Sequence, residues 1–167
     1  MIVLYAQPFN SDAQGFYFSD IDQYCEALEQ ARDCFGRPVE EFQIIFVDGD
    51  DPELFTICGI NQGNLALWFE IEDLDERQKA ALFFLCAQLG YSAEDALPKV
   101  DEVMLTESSL RDAAIDLFDE VYLPSIPEPA RYYIDYHLFA QDCLNSGDLQ
   151  DFKFADRPWT CLNPSQL

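Results

Sequence analysis

Ser19-Asp20-Ile21-Asp22-Gln23-Tyr24-Cys25-Glu26-Ala27-Leu28-Glu29-Gln30-Ala31-Arg32-Asp33-Cys34-Phe35-Gly36 is the stretch on which the reading of the fold turns. Ser19 or Asp20 can take up the free amide hydrogens of a first helical turn, and Gly36 with Pro38 beyond ends one. The spacing therefore predicts a helix running to about Phe35. Ile21, Cys25, Leu28, Ala31 and Phe35 share one face, while Asp22, Glu26, Glu29 and Asp33 recur at i, i+4, i+7 and i+11 on another. Residues 2–6 and 16–18 upstream read as strands joined by a polar loop, and 42–47 downstream is a dense β-type run closed by Asp48-Gly49-Asp50-Asp51-Pro52. A small sheet with one helix laid on it is expected.

Working outward, residues 64–71 and 74–89 read as helices, the second apolar all round from Ala80 to Cys86 and so buried on several sides. Residues 93–97 add one more turn. A short strand at 103–105, a helix at 107–123 starting near Thr106 or Ser108, a helix at 130–144 and a closing strand at 152–154 follow. On the 107–123 helix, Leu110, Ala114, Leu117 and Val121 are expected inside, with Asp112, Asp116, Asp119 and Glu120 opposite. The expected class is α+β: an elongated chain of three small domains, α+β at 1–60, helical at 61–103 and α+β at 104–167. Short antiparallel sheets lie at the two ends.

The charge is extreme. Among 167 residues, 32 are Asp or Glu and 9 are Lys or Arg, a net −23. Residues 1–60 carry 12 acids and 2 bases, 61–103 carry 9 and 3, and 104–167 carry 11 and 4, so no single tail is responsible. The acids alternate with apolar residues and belong to folded elements. Such a chain repels phosphates and anionic lipid headgroups, which excludes direct nucleic-acid or membrane-surface binding. Solubility asks for a net charge of only about 2 to 8 in a small domain.

Other chemistry is thin. The longest apolar run, 80–87, is too short to cross a bilayer, and Met1-Ile2-Val3-Leu4 lacks the basic region of a signal peptide. The six cysteines form no CxxC pair and are expected as reduced, mostly buried thiols in a cytoplasmic protein. His137, the one histidine, has no nucleophile partner nearby in sequence. No phosphate loop and no zinc spacing appears, and residues 48–53 lack the ligand alternation of a calcium loop. No metal, cofactor or catalytic residue is assigned.

Acids at i and i+4 repeat about every 5.4 Å along a helix, whereas duplex DNA carries a charge per roughly 1.7 Å of axis. One stripe is too sparse to imitate a strand, but several side by side approach its field. A net −23 corresponds to about 39 Å of duplex.

Ile126-Pro127-Glu128-Pro129-Ala130-Arg131-Tyr132-Tyr133-Ile134-Asp135-Tyr136-His137-Leu138-Phe139-Ala140-Gln141-Asp142, with Gly147-Asp148 after it, resembles the C-terminal signature of the ArdA antirestriction proteins. Tyr133-Ile134-Asp135-Tyr136 is its most specific part; Gln141 stands where the family usually has arginine. The length, the opening strand and the acidic helix after Ser19 fit as well. The resemblance implies an elongated, dimeric, non-enzymatic mimic of B-form DNA from a mobile element. Such a protein occupies the DNA-binding groove of type I restriction–modification enzymes, whose methyltransferase core is then the partner. Asp22, Glu26, Glu29, Asp33, Asp112, Asp116, Asp119 and Glu120 are the expected mimic charges. Tyr132, Tyr133, Asp135, Tyr136 and Phe139 fall in the motif linked to subunit contact. Two other readings start from the same composition: an acidic adaptor or immunity protein for another basic partner, and a carboxylate-based metal-dependent enzyme.

Overall fold

Alternation of apolar and polar residues builds the first sheet. In a computed structural model, which describes residues 2–167, β1 (Val3–Pro8) lies between β2 (Phe16–Phe18) and β3 (Phe42–Asp48), antiparallel to both. Leu4 stands opposite Phe18 and Phe46, and Ala6 opposite Phe16 and Ile44. Leu4, Ala6, Phe18 and Ile44 are buried on the face that carries the helices. The period of two thus sends one side of each strand inward and leaves the other outside.

Helix α1 (Ile21–Gln30) starts where the sequence indicates, with Asp20 as its cap, but ends five residues before Phe35. Ala31 is already extended, and its carbonyl accepts from the Val39 amide. Residues 31–39 fold back as a tight loop through Gly36, whose φ of +77° suits glycine. The stop signal at Gly36 thus lies at the far end of a turn that has already left the helix.

A short helix α2 (Pro52–Ile57), unexpected from the sequence, follows the acidic turn; Asp51 precedes it with a φ of 60°. Helices α3 (Leu65–Glu72) and α4 (Glu76–Ala87) match the expected pair. Asp75 and Gln78 form a reciprocal capping box, with Gln78 N donating to Asp75 Oδ1 at 2.8 Å and Asp75 N to Gln78 Oε1 at 3.2 Å. Residues 80–86 of α4 are all buried, as their composition requires. Helix α5 (Ala93–Ala96) and a 3-10 segment (Leu97–Glu102) lead to β4 (Leu105–Thr106).

The last third departs more. Helix α6 (Leu110–Val121) is capped by Ser109, and the expected 130–144 helix is two pieces, α7 (Glu128–Arg131) and α8 (Tyr136–Ser146). Asp135 breaks the run by capping α8, accepting from the Leu138 amide at 3.0 Å. Strand β5 (Gln150–Phe154) contains the expected closing strand, but β6 (Arg157–Cys161) comes after it and is central, in the order β4-β6-β5. Pro158 hid it. A proline is tolerated there because β4 pairs only with Thr160 and Cys161, so at Pro158 the strand has one neighbour. The connecting turn is Ala155-Asp156, with φ of 50° and 59°, the left-handed pair that usually calls for Asn-Gly.

The class is α+β with two short antiparallel sheets. One buried cluster takes in residues from Ile2 to Cys161: Trp68 meets Phe46 and Phe55, and Phe83 and Phe84 of α4 meet Phe152 of β5. Residues on both sides of positions 60 and 103 share that core. A smaller cluster of Ala114, Ala140, Cys143 and Leu149 joins α6 to α8. No helix among the described residues is long and apolar enough to cross a membrane.

Candidate acidic recognition surface

Side-chain caps fix the start of each of the two acid-bearing helices. Asp20 Oδ1 accepts from Gln23 N at 2.8 Å in α1, and Ser109 Oγ accepts from Asp112 N at 3.2 Å in α6. Asp22, Glu26 and Glu29 therefore stand at i, i+4, i+7 on α1, and Asp112, Asp116 and Asp119 repeat that spacing on α6 with Glu120 beside them. Each triplet spans about 10.5 Å of helix axis. All seven carboxylates are exposed. Among the described residues none of the seven lies within 4.0 Å of a Lys, Arg or His nitrogen. Asp112 is engaged locally, accepting from Ser109 Oγ at 2.7 Å.

The eighth expected mimic charge is a correction. Asp33 lies beyond the end of α1 and its carboxylate is turned inward, with a side chain 2% exposed. Oδ1 accepts from the amides of Phe35 and Arg37, each at 2.9 Å, and Oδ2 from Arg37 Nε at 2.8 Å. The Arg37 amide, with the Phe35 amide and the Arg37 guanidinium, holds this carboxyl below the usual Asp range. Asp33 is the knot of the 31–39 loop and offers no charge to a partner.

Unneutralised acid extends well beyond the two helices. Among the described residues, every Asp and Glu except Asp20, Asp33, Asp51 and Glu72 is exposed. Ion pairs among the described residues engage only Asp33, Asp51, Glu76, Glu107 and Asp156. Half-burial pushes the Glu72 carboxyl up, against the pull of Lys79. Three pairs link distant parts of the chain: Lys79 Nζ meets Asp51 at 3.0 Å, and Arg157 bridges Glu76 at 2.7 Å and Glu107 at 3.7 Å. Asp51, Lys79, Glu76 and Arg157 line a cavity of about 270 Å³ together with Leu74, Phe154 and Trp159. No three His, Cys, Asp or Glu side chains among the described residues are grouped as metal ligands.

The tyrosine-rich motif divides in two. Tyr132 and Tyr133 sit in the turn between α7 and α8, 85% and 89% exposed. Tyr136 and Phe139, on α8, pack instead against α6. Phe118 meets the Tyr136 ring at 5.4 Å and the Phe139 ring at 4.9 Å, both edge-on. Sequence reasoning missed Phe118. The inward face of α6 is Leu110, Ala113, Ala114, Leu117 and Phe118, which is the i, i+3, i+4, i+7, i+8 pattern; Val121, expected inside, is 53% exposed. Asp135 is a cap, and Arg131 donates from Nε to the Ile126 carbonyl at 3.0 Å. His137 is exposed on α8. All six cysteines are free thiols, with Cys58, Cys86, Cys143 and Cys161 buried and Cys25 and Cys34 exposed.

No protein-family model matches this chain, and no curated protein or solved structure matches it either.

Proposed function

We propose that the chain is a non-enzymatic, cytoplasmic mimic of B-form DNA that occupies the DNA-binding groove of a type I restriction–modification enzyme. The observation that carries this reading is the fixed, outward and largely unpaired carboxylate surface, on which two capped helices repeat one i, i+4, i+7 spacing. A groove built to neutralise phosphates is lined with Lys and Arg, and a preorganised acid array competes for it by the same attraction. Preorganisation matters, because carboxylates on a flexible tail would lose ordering entropy on binding.

The rest of the reading is an elongated particle of three acid-bearing segments, 1–60, 61–103 and 104–167, paired with a second copy through the tyrosine motif. Its accessible surface of 10026 Å² is about a fifth more than the roughly 8,400 Å² of a compact monomer of this mass. Exposed Tyr132 and Tyr133, next to the carboxylate-free Arg131, suit a contact between two polyanions. The test is direct. Purified protein added to a type I enzyme and unmodified DNA should abolish DNA binding and cleavage at near-stoichiometric amounts. Unchanged cleavage at a large molar excess would overturn the proposal, and retention of unrelated basic proteins from a lysate would favour the adaptor reading.

A further inference from the structure

The outer face of the first sheet is poor in charge: its middle rows are neutral, and the exposed Asp48, opposite Val3, is the acid at its end. Register places Tyr5 opposite both Tyr17 and Ile45, so these three form one row across β2, β1 and β3. Gln7 and Gln43 form the next row. Tyr17 is 68% exposed and Val47, two residues along β3 from Ile45, is 50% exposed. The Tyr5 and Tyr17 rings lie 4.7 Å apart. No residue of these rows is charged, in a chain whose residues are 25% charged overall.

A groove of about 610 Å³ continues the face along the 9–15 loop, lined by Tyr5, Gln7, Asn10, Ser11 and Gln14, again without a charged side chain. Its wall is packed: a Cβ at Gly15 would strike the Ala6 carbonyl oxygen and the Tyr5 ring, so the loop closes on the sheet only because that residue is glycine.

Aromatic rings, a β-branched residue and amides without charge make a surface for an apolar, hydrogen-bonding protein contact. Its occupant follows from charge. A second copy would bring −23 against −23 across a face that holds no cation, whereas the tyrosine motif supplies Arg131 to such a contact. A basic partner meets no such barrier.

We infer that this face docks an uncharged, partly apolar surface of the same basic partner, lying beside its cationic groove. The inference rests on the proposed function and adds a division of labour. The carboxylates supply the attraction that salt screens, and the sheet face supplies a contact that salt does not weaken.

The experiment measures association and dissociation of the full chain with a type I methyltransferase core over a salt series. Three variants are compared with wild type: Tyr17→Ala/Val47→Ser, Gln43→Lys, and Glu26→Gln/Glu29→Gln/Asp116→Asn/Glu120→Gln. The first should dissociate about tenfold faster or more at every salt concentration with the salt slope of wild type, and Gln43→Lys should also dissociate faster but with a flatter slope, because it sets a cation against a basic partner. The acid variant should instead lose its advantage at low salt and show a flatter slope. Melting curves confirm that the surface variants fold, and Gln43→Lys tests the face without removing any packing. Dissociation unchanged in both sheet variants overturns this inference and leaves the function standing. Loss of self-association without change in enzyme binding assigns the face to a second copy and also overturns it. Wild type that does not bind the enzyme at all overturns both.

Discussion

The Tyr136 hydroxyl donates a 2.7 Å hydrogen bond to the Asp119 carboxylate, joining residues 17 apart in the chain. One is an acid of the α6 stripe and the other opens α8, so the bond ties the charged face to the aromatic motif. Its consequence is titrimetric. Bonding to a carboxylate favours the neutral phenol, so Tyr136 titrates above the ordinary tyrosine value of 10.0. A raised folded-state value means the bond's contribution is complete below the unfolded value and is lost as pH rises through the folded one. Ultraviolet titration should show two tyrosines ionising later than the others, Tyr136 and the buried Tyr24, and Asp119→Asn should return only Tyr136 to the rest.

Asp33 predicts the opposite sign. Its carboxyl is held low by the Arg37 and Phe35 amides and the Arg37 side chain, so its contribution is present above the unfolded value. That contribution disappears as pH falls through the depressed folded value. In urea unfolding, Asp33→Asn should lower the midpoint at pH 6, and the gap from wild type should close progressively below about pH 4. A gap independent of pH would mean that the loop, not the charge, sets the effect.

Phe84 tests how far the chain unfolds as a unit. It is 0% exposed, sits on α4 and meets Phe152 of β5 with ring centroids 5.1 Å apart. Phe84→Ala should cost roughly 3–5 kcal/mol. Because that core also holds Leu4 and Trp68, circular dichroism and tyrosine fluorescence should move together in one transition. Separate transitions would instead favour independent units divided near residues 60 and 103.

Self-repulsion predicts that screening helps this fold. The melting temperature should rise between 0.01 M and 0.1 M salt, over which the screening length falls from about 30 Å to about 10 Å. In low salt, Glu26→Gln/Glu29→Gln should stabilise the chain by roughly 0.4–1 kcal/mol, since it removes like-charge neighbours at i, i+3 and i, i+4. Asp22 is left in place because an acid in the first turn of α1 favours the helix dipole. Adding Asp116→Asn and Glu120→Gln should weaken inhibition of the restriction enzyme, at roughly 0.2–1 kcal/mol per exposed pair lost. A protein more stable yet less inhibitory would separate the acids' function from their cost to folding; inhibition unchanged would count against mimicry.

The sequence by itself determined what depends on near neighbours and on sums. Net charge and its even spread need no structure, and they account for the exposed, unpaired acids. Period-two runs locate β1, β2 and β3, a cap followed by a helical period locates α1 and α6, and apolar runs of helical length locate α3 and α4, because those signals act within a turn or a strand. The tertiary structure decided whatever depends on a distant partner. Asp33 reads as one more acid on a stripe, yet the chain doubles back and supplies three donors to it. Strand β6 contains a proline and ends a turn without glycine, and it becomes central only because β4 and β5 come to its two sides. Tyr132 and Tyr136 look equivalent within one aromatic run, but Phe118, contributed by another helix, claims the second and leaves the first to solvent. Which carboxylates and aromatics remain free for a partner is settled by long-range contacts, whose energies no local pattern contains.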